Sequence, residues 1–372
     1  MCGILLVKST QELPLELHLK ALDILKSRGP DKTRYQFKNG IFIAQVVLHI
    51  TGTSDYYDTE HENFLAYNGE IYDYKKFGPF DNDIEFVDHA INNNVKQLAD
   101  GYGPWAWAWT NGTTIRYASD PQGEKTLYEY KDSDTIIVCS EVAPILEYIR
   151  GKKVPHPYAN KNWGILDNTP WDGITRIEPG AEYINGDKCQ SIDSIYNWIT
   201  TPTIKTLQTA CEEFDHVWNK TIAQMQPDCD AGLSYSGGLD TSIILNSISS
   251  TSLYSINCIG KDPIVDDIDK FLTVDEQKRL TVCKLDETTW HQEYVQMLDR
   301  LCMPAGSWSY VGTWVINKMC KERVLFTGVG ADELFGGYDL YRDLEFSRLQ
   351  STSPYSTHSS DHRWHSCIEA YC

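Results

Sequence analysis

A glycine-rich segment in the second half of the chain constrains the fold more strongly than any other part of the sequence. The apolar stretch Ala231–Tyr235 before it is typical of a buried strand, and Thr241–Ser249 at its end is typical of a helix. Two glycines allow a tight turn that points backbone amides at an anion, and a helix N-terminus adds its positive dipole end. A strand, an anion-binding loop and a helix are therefore predicted, the loop being Ser236-Gly237-Gly238-Leu239-Asp240-Thr241-Ser242.

The spacing of apolar residues divides the chain into two parts. Up to about Gly186 the pattern indicates many short strands and few helices, whereas beyond Leu207 helices and strands alternate. Such alternation predicts a parallel sheet with helices on both faces. We therefore expect one domain at 1–190 and a second at 207–372, joined by a polar, β-branched connector at 191–206.

Individual elements follow from the same patterns. Leucines at helical spacing between Leu15 and Leu25 predict a helix that Arg28-Gly29-Pro30 ends. An amphipathic helix is predicted from Leu207 to Met225. The remaining predicted elements are strands at Gly3–Val7, Ile41–Leu48, Phe64–Tyr67, Trp105–Trp109, Thr114–Ala118, Ile136–Ser140, Leu253–Ile259 and Val324–Thr327.

Charge and cysteine content exclude several classes of protein. The chain has 33 basic and 52 acidic residues, a net charge of −19, which argues against a nucleic-acid groove and favours solubility. No apolar run approaches the roughly 20 residues that span a bilayer, and Lys8 ends the first run, so we expect a cytoplasmic protein. None of the 11 cysteines forms a C-x-x-C pair, which predicts reduced and mostly buried thiols.

Cys2 differs from the other cysteines because it directly follows Met1. Removal of the initiator methionine would give Cys2 a free α-amine with a pKa near 8, which can accept the thiol proton. Nucleophile and base would then come from one residue. A cysteine at position 2 is more often incidental, so the interpretation depends on its neighbours.

Three motifs in the first part resemble class II glutamine amidotransferases in order and spacing: Met1-Cys2-Gly3-Ile4, Arg28-Gly29-Pro30-Asp31 and Asn68-Gly69-Glu70-Ile71-Tyr72. Taken alone, Asn68-Gly69 is also typical of a hairpin turn. The resemblance implies an Ntn-hydrolase α/β/β/α sandwich with Cys2 as nucleophile. It further implies an oxyanion hole formed by the Asn68 side chain and the Gly69 amide, and a glutamine ammonium site formed by Glu70 and Asp83.

The resemblance covers the whole first domain but has one departure. Further matches are Asp120 with Gly123, Ser140-Glu141, Gly173-Ile174 and Pro179-Gly180. The family usually has an arginine that pairs with the glutamine carboxylate, and Val47 stands at that position. Loss of a bidentate partner should weaken glutamine binding unless another cation compensates.

The loop at 236–242 resembles the PP-loop of enzymes that split ATP between its α- and β-phosphates, and no Walker A or G-x-G-x-x-G motif is present. The alternative is a structural turn capped by Asp240 or Thr241. A later segment, Gly328-Val329-Gly330-Ala331-Asp332-Glu333 followed by Gly336-Gly337-Tyr338, resembles asparagine synthetases. This implies a doubly wound parallel-sheet domain in which Gly328 and Gly330 join the ATP site, and Asp240 and Asp332 bind Mg²⁺. Alternatively, Asp332 is a helix cap and Glu333 a solvated acid.

Together the two resemblances imply an enzyme with glutamine, aspartate and ATP as substrates and asparagine, glutamate, AMP and pyrophosphate as products. One rival is an adenylating relative with another acceptor, such as a β-lactam synthetase-like cyclase. A second rival is a non-catalytic relative that binds nucleotide or partners. No nucleic acid or membrane partner is expected, and the sequence leaves the oligomeric state open, a homodimer included.

Two further features put the amination half in question. Asparagine synthetases have a glutamate at the position of Val329, and valine cannot accept a proton, so it either packs under the loop or reflects a changed acceptor. Related domains also continue well past the Gly-Gly-Tyr segment, whereas this chain stops about 35 residues after Tyr338. The basic residue expected near the phosphates would then come from Lys261, Lys270 or Arg342.

Overall fold

The computed structural model describes residues 1–51, 63–149, 169–192, 206–249, 252–258, 268–303, 309–335 and 337. In the first part, the strands are β1 (Gly3–Ser9), β2 (Lys32–Lys38), β3 (Ile41–Val47), β4 (Phe64–Gly69), β5 (Trp105–Thr110), β6 (Ile115–Ser119), β7 (Tyr128–Lys131), β8 (Thr135–Cys139), β9 (Ile174–Arg176), β10 (Ala181–Ile184) and β11 (Asp187–Ser191). The α-helices there are α1 (Leu15–Leu25), α2 (Asp83–Asn93) and α3 (Val142–Tyr148).

These strands form two antiparallel sheets, ordered β2-β3-β1-β8-β7-β9 and β11-β10-β6-β5-β4. Strand β1 is apolar on both faces because it lies between two layers. Ile4 and Leu6 pack between the sheets, and Leu5 and Val7 pack against α1 and α3. Helix α2 covers the other sheet through a core that includes Trp105. The α/β/β/α sandwich predicted for this part is therefore confirmed.

The second part contains the parallel strands β12 (Ala231–Ser234), β13 (Ser252–Cys258), β14 (Leu280–Leu285) and β15 (Val324–Phe326). Its helices are α4 (Leu207–Gln224), α5 (Leu239–Ser247), α6 (Val274–Gln277), α7 (Glu287–Leu301), α8 (Ser309–Met319) and α9 (Ala331–Phe335). Side chains of α4 and α5 pack on one face of the sheet, and α7 and α8 pack on the other. This is the predicted doubly wound arrangement.

The order of the parallel sheet, β14-β13-β12-β15, places a topological switch point beside β12. The chain moves from β12 outwards to β13 and β14, then returns to add β15 on the opposite side of β12. In open α/β sheets, ligands bind beyond the carboxyl ends of the strands at such a point. The loops after β12 and β15 therefore flank the expected ligand position.

Helix α4 lies against both helices that follow these two loops. The Trp218 indole N–H donates to Ser247 Oγ at 2.8 Å, at the end of α5. The Phe214 ring stacks on Trp218 with centroids 5.7 Å apart and lies 5.9 Å from the Phe335 ring in α9. Two aromatic rings thus connect α5 to α9.

Most predicted elements are confirmed to within two residues, and the differences have physical causes. The helix predicted from Thr241 begins two residues earlier, at Leu239, so Leu239 and Asp240 belong to the helix and not to the loop. The prediction of mostly buried thiols is wrong for the described residues. All eight described cysteines are free thiols, but only Cys139 is buried. The connector residues 193–205, the end of the strand predicted to Ile259 and the chain beyond 337 lie outside the described residues.

Candidate active site

Cys2 lies just before β1, in contact with the end of β3. The Leu48 N–H donates to Cys2 Sγ at 3.4 Å, and the Arg28 Nε–H donates to the Cys2 carbonyl oxygen at 3.0 Å. Burial raises the pKa of the Cys2 thiol, while the Leu48 hydrogen bond, the terminal amine and Arg28 act in the opposite direction. The predicted nucleophile is therefore held by hydrogen bonds to its thiol and to its own carbonyl oxygen.

Gln45 is a site residue that sequence reasoning missed. It is fully buried in β3, its side chain interacts with the Cys2 thiol, and its Nε2 donates to the Tyr67 carbonyl oxygen at 2.5 Å. Gln45 therefore connects Cys2 to the residue before Asn68 on β4. A single glutamine inside an otherwise apolar strand was the available signal, since a buried amide needs polar partners.

The turn at Arg28–Asp31 lies directly on the end of β3. A Cβ atom on Gly29 would lie 2.3 Å from the Val46 carbonyl carbon and the Val47 nitrogen, so only glycine fits this close approach. The Asp31 N–H donates to the Val47 carbonyl oxygen at 3.1 Å. The Val47 side chain is buried and uncharged, so the position where the family has arginine supplies no carboxylate partner.

Asn68 and Gly69 end β4 and pair with Ala106 and Trp105 of β5. The hairpin-turn interpretation of these two residues is therefore wrong. Asn68 is 2% exposed, and its Nδ2 is buried without a hydrogen-bond partner among the described residues. A buried donor left unpaired costs about 1–3 kcal/mol, so Asn68 Nδ2 is a candidate hydrogen-bond donor to a bound ligand. The free Nδ2 is available for a developing oxyanion.

Glu70 and Asp83 form an acidic pair beside β4. Asp83 Oδ2 accepts hydrogen bonds from the Tyr67 hydroxyl at 2.7 Å and from the Ile71 N–H at 3.0 Å. The Glu70 carboxylate accepts from the Thr51 hydroxyl at 2.8 Å. Burial, and secondarily the charge of Asp83, raises the pKa of Glu70 to about 8, and burial raises the pKa of Asp83. An ammonium group between them would relieve this repulsion.

Lys125 supplies positive charge on this side of the site. Its Nζ lies 3.4 Å from Met1 Sδ, and its charge partly offsets the raised pKa of Glu70. The backbone N–H of Lys125 donates to Asp120 Oδ2 at 2.8 Å, so the matched Asp120 shapes the loop that carries this lysine. The matched Ser140 holds β1 instead, accepting from the Ile4 N–H at 3.0 Å.

The loop at 236–242 is closed by its own hydroxyl groups. Ser236 Oγ lies 3.1 Å from Thr241 Oγ1 and accepts from the Gly238 N–H at 3.3 Å, while the Ser242 hydroxyl donates to the Gly238 carbonyl oxygen at 2.7 Å. Gly237 has a φ of +78°, which L-residues rarely adopt. Gly238 is the N-cap of α5 and has no side-chain cap, while within the turn the Ser236 N–H donates to Thr241 Oγ1 at 3.3 Å.

The loop after β15 lies against this first loop. A Cβ atom on Gly328 would lie 3.2 Å from Asp240 Cβ and 3.1 Å from Thr241 Cγ2. Asp332 lies within α9, in its first turn, and its carbonyl oxygen accepts from the Gly337 N–H at 3.1 Å, so it is not the helix cap. Gly330 has a φ of +95° and lies in the turn between Gly328 and Asp332. The predicted phosphate loops therefore meet at the switch point.

Val329 is 54% exposed, so it does not pack under the loop as one interpretation of the sequence proposed. Its N–H donates to Thr327 Oγ1 at 3.0 Å. Of the three basic residues considered near the phosphates, only Lys270 is described. It lies in the turn whose Ile268 backbone would be 3.6 Å from a Cβ on Gly237. The side chain of Glu333 lies outside the described atoms.

No helix in the described ranges is long and apolar enough to cross a membrane. Those residues also contain no group of three or more His, Cys, Asp or Glu side chains arranged to hold a metal.

Comparison with known proteins identifies both parts. A glutamine amidotransferase domain model matches residues 1–196, and an asparagine synthase model matches residues 213–370. An amidase, chry2, of Gibberella zeae is 22% identical, covering 87% of this chain and 55% of the amidase. Asparagine synthetase [glutamine-hydrolyzing] 1 of Bacillus subtilis is 23% identical, covering 88% of this chain and 56% of the synthetase. The chain thus spans a little over half the length of these two relatives.

Among solved structures, glutamine phosphoribosylpyrophosphate amidotransferase of B. subtilis, in complex with ADP and GMP, matches with a TM-score of 0.38 and 14% identity over 69% of this chain and 75% of that chain. The amidotransferase model alone covers 196 of the 372 residues. With the asparagine synthase model matching most of the remainder, the chain belongs to the asparagine synthetase family.

Proposed function

We propose that this chain transfers the amide nitrogen of glutamine to a carboxylate that it activates with ATP, with aspartate as the acceptor and asparagine as the product. The observation that carries the proposal is the buried Asn68 Nδ2, which has no partner among the described residues and lies one residue from the Gln45–Tyr67 contact that leads to Cys2. We assign the two activities to domains at 1–190 and 207–372, with 191–206 as linker.

In the glutamine-hydrolysing half, Cys2 Sγ attacks the side-chain amide carbon of glutamine. The carbonyl oxygen becomes negative, and Asn68 Nδ2 and the Gly69 amide stabilise it. The thiol proton leaves with the amide nitrogen as ammonia, and water then hydrolyses the thioester to glutamate. Glu70 and Asp83 hold the substrate ammonium group, which explains why two repelling acids lie side by side.

Lys125 is our candidate for the missing carboxylate partner of glutamine. It is placed beside Met1, whose removal would leave space next to Cys2, and its charge already acts on Glu70. A lysine provides a point charge rather than a planar fork, so we expect weaker glutamine binding than an arginine at position 47 would give.

In the ATP half, a carboxylate oxygen of the acceptor attacks the α-phosphorus and pyrophosphate leaves. Backbone amides and hydroxyl groups of the first loop would hold the pyrophosphate, and the loop after β15 would border it. The residues concerned are Ser236, Gly237, Gly238, Thr241 and Ser242 in the first loop, and Gly328 and Gly330 in the second. Ammonia then attacks the acyl carbon, and AMP leaves. Release of ammonia within the same protein avoids its protonation in bulk water at pH 7.

The carboxylates of Asp240 and Asp332 fit a magnesium ion bound together with phosphates. Mg²⁺ is commonly held by one or two carboxylates plus substrate oxygens, and these two acids lie in the first turns of the helices that follow the two loops. When bound, the ion would neutralise charge on the leaving pyrophosphate. A cluster of three protein ligands is not required by this arrangement.

A different acceptor is the second candidate, because Val329 is exposed where asparagine synthetases have glutamate. The similarity to a protein named as an amidase also supports an acceptor other than aspartate. A β-lactam synthetase-like cyclase is less well supported, since this chain has Cys2 together with a buried Asn68 Nδ2 that has no partner among the described residues. A non-catalytic relative would have no use for an oxyanion donor at this position.

The decisive experiment incubates the full chain with ATP, Mg²⁺ and a panel of carboxylates, with glutamine or ammonium as the nitrogen donor. We expect AMP and pyrophosphate to appear with aspartate, and glutamate to appear with glutamine. Product formation with another carboxylate alone would replace aspartate as the acceptor. Absence of both AMP release and glutamine hydrolysis would indicate a non-catalytic relative that binds nucleotide or partners.

A further inference from the structure

Two arginines of the second domain reach into the first domain on either side of Cys2. Arg300 is the penultimate residue of α7, and Arg323 immediately precedes β15. Neither belongs to a motif that sequence analysis singled out. Arg323 contacts Asp31 in the turn at Arg28–Asp31, which packs against the end of β3 beside the nucleophile. Arg300 contacts Ser27, the residue before this turn, and Glu141, which in turn contacts Arg28.

Arg300 acts through a buried acid. Its Nη1 donates to Glu141 Oε2 at 2.6 Å, and its Nη2 donates to Ser27 Oγ at 2.8 Å. The other oxygen of Glu141 accepts from Arg28 Nη1 at 3.3 Å, and Arg28 Nε donates to the Cys2 carbonyl oxygen. Arg28 and Glu141 are each 6% exposed, so one carboxylate connects an arginine of each domain in low-dielectric surroundings.

Arg323 acts on the opposite side. It makes two hydrogen bonds to Asp31, at 2.6 and 2.9 Å, and a third to the His49 carbonyl oxygen at 3.2 Å. Asp31 Oδ2 also accepts from the His49 N–H at 2.8 Å. Both backbone groups of His49 are therefore fixed, directly after Leu48, whose N–H donates to Cys2 Sγ.

We propose that Arg300 and Arg323 are positioning residues of the glutamine-hydrolysing site, which hold the Arg28–Asp31 turn and Leu48 in the geometry that stabilises the Cys2 thiolate. The inference rests on the proposed function for its consequence, namely that glutamine is hydrolysed efficiently only when the ATP-binding domain is docked. Arg323 is well placed to connect the ATP-binding domain to the glutamine site, because β15 runs directly from Arg323 to the loop that contains Gly328.

A purely structural role would hold the domains together without affecting the thiol. The two roles differ in the acidity of Cys2, which the terminal amine and Arg28 influence as charged groups and Leu48 as a hydrogen-bond donor. Loosening Leu48 or Arg28 should raise the pKa of a thiol that burial already raises. The experiment therefore measures that acidity, as well as catalysis.

The test uses the full chain with Arg300→Met, Arg323→Met and the conservative Arg300→Lys and Arg323→Lys. Lys318→Met is the matched control, because Lys318 forms a 2.7 Å ion pair with Glu293 inside the second domain and is 42% exposed, against 46% for Arg323. The rate of Cys2 alkylation by iodoacetamide is followed by peptide mass spectrometry from pH 6 to 10. Glutamine hydrolysis is measured in parallel.

We expect both methionine variants to raise the alkylation midpoint by about 0.5–1 pH unit and to lower kcat about three- to tenfold at pH 7.5, with KM changed less than twofold. Lysine variants should lie between parent and methionine, since they keep the charge without the fork, and they carry the test if a methionine variant fails to fold. Parental midpoints in the Arg300 and Arg323 variants would overturn the proposal. If the parent hydrolyses no glutamine but the arginine variants still shift the alkylation midpoint of Cys2, the positioning role stands and the proposed function is rejected.

Discussion

The two candidate sites are held in different ways. The site around Cys2 lies among buried side chains, and α1 beside it has four buried residues, including Leu22 and Leu25. Each such leucine contributes about 1.5–3 kcal/mol on burial. By contrast, α4 has 18 residues and none is buried. The glycine-rich loops of the second part depend mainly on glycine conformation and hydroxyl contacts, so side-chain substitutions should affect the two candidate sites differently.

The largest expected effect tests whether the two sites are separable. Cys2→Ala removes the nucleophile and should lower glutamine-dependent product formation by on the order of 10⁴-fold or more. Ammonia-dependent formation should stay within twofold of the parent, because the ATP site lies on other elements. The measurement is product formation with each nitrogen donor, and Cys189→Ala, at an exposed cysteine, is the control. Parental glutamine hydrolysis in Cys2→Ala would reject the nucleophile.

The reciprocal prediction concerns the loops. Asp240→Asn and Asp332→Asn should each lower pyrophosphate release about 10²- to 10³-fold, since loss of a metal contact costs several kcal/mol of transition-state stabilisation. Glutamine hydrolysis should be unchanged. Asp275→Asn, at an 88% exposed acid of the same domain, controls for the loss of one charge. Lowered melting temperature with parental kinetics would instead assign the two acids a scaffold role.

A smaller effect should distinguish the buried site by its pH dependence. Glu70 has a pKa raised to about 8, so it is mostly neutral at pH 6 and becomes a good ammonium ligand only as it ionises. We expect the KM for glutamine to fall by up to about tenfold per unit as pH rises from 6 towards 8, and to level off above that. Steady-state kinetics on Glu70→Gln should show a raised KM without this slope. A flat KM in the parent would contradict the assignment.

The smallest effect concerns coupling between the two halves. If the parent adenylates aspartate but aminates it slowly, Val329→Glu should raise asparagine formed per pyrophosphate released, by about threefold, because a carboxylate can accept a proton where valine cannot. Val329→Gln, of the same size without basicity, is the control. A parent that already forms one asparagine per pyrophosphate with rapid turnover would show that another residue supplies the function.

The regular elements and the motif residues could be predicted because their signals are local. Strand β1 is a continuous apolar run, and the glycine loop lies between a strand and a helix, so both were found from the sequence. Strand β2 was missed because Lys32, Arg34 and Lys38 interrupt it at an edge of its sheet. Helix α2 was also missed, since it combines acidic and apolar residues over only three turns.

The contacts between domains could not be predicted. Arg323 and Asp31 are 292 residues apart and Arg300 and Glu141 are 159 apart, and no periodicity relates positions at such distances. Gln45 is intermediate: its position inside an apolar strand was visible, but its partners became known only when β3 and β4 were placed together. Asn68 and Asp83 were identified through the family resemblance, and the local pattern alone favoured a turn for Asn68.

The contact of Trp218 with Ser247, and through Phe214 with Phe335, has a practical use in spectroscopy. An indole whose N–H is bonded to one helix, and whose stacked neighbour meets another, reports small shifts of either helix as a change in fluorescence. Both helices begin at the loops that would hold ATP. Titration of the full chain with nucleotide, using Trp218→Phe to isolate this signal among 11 tryptophans, would therefore report binding optically without any added label.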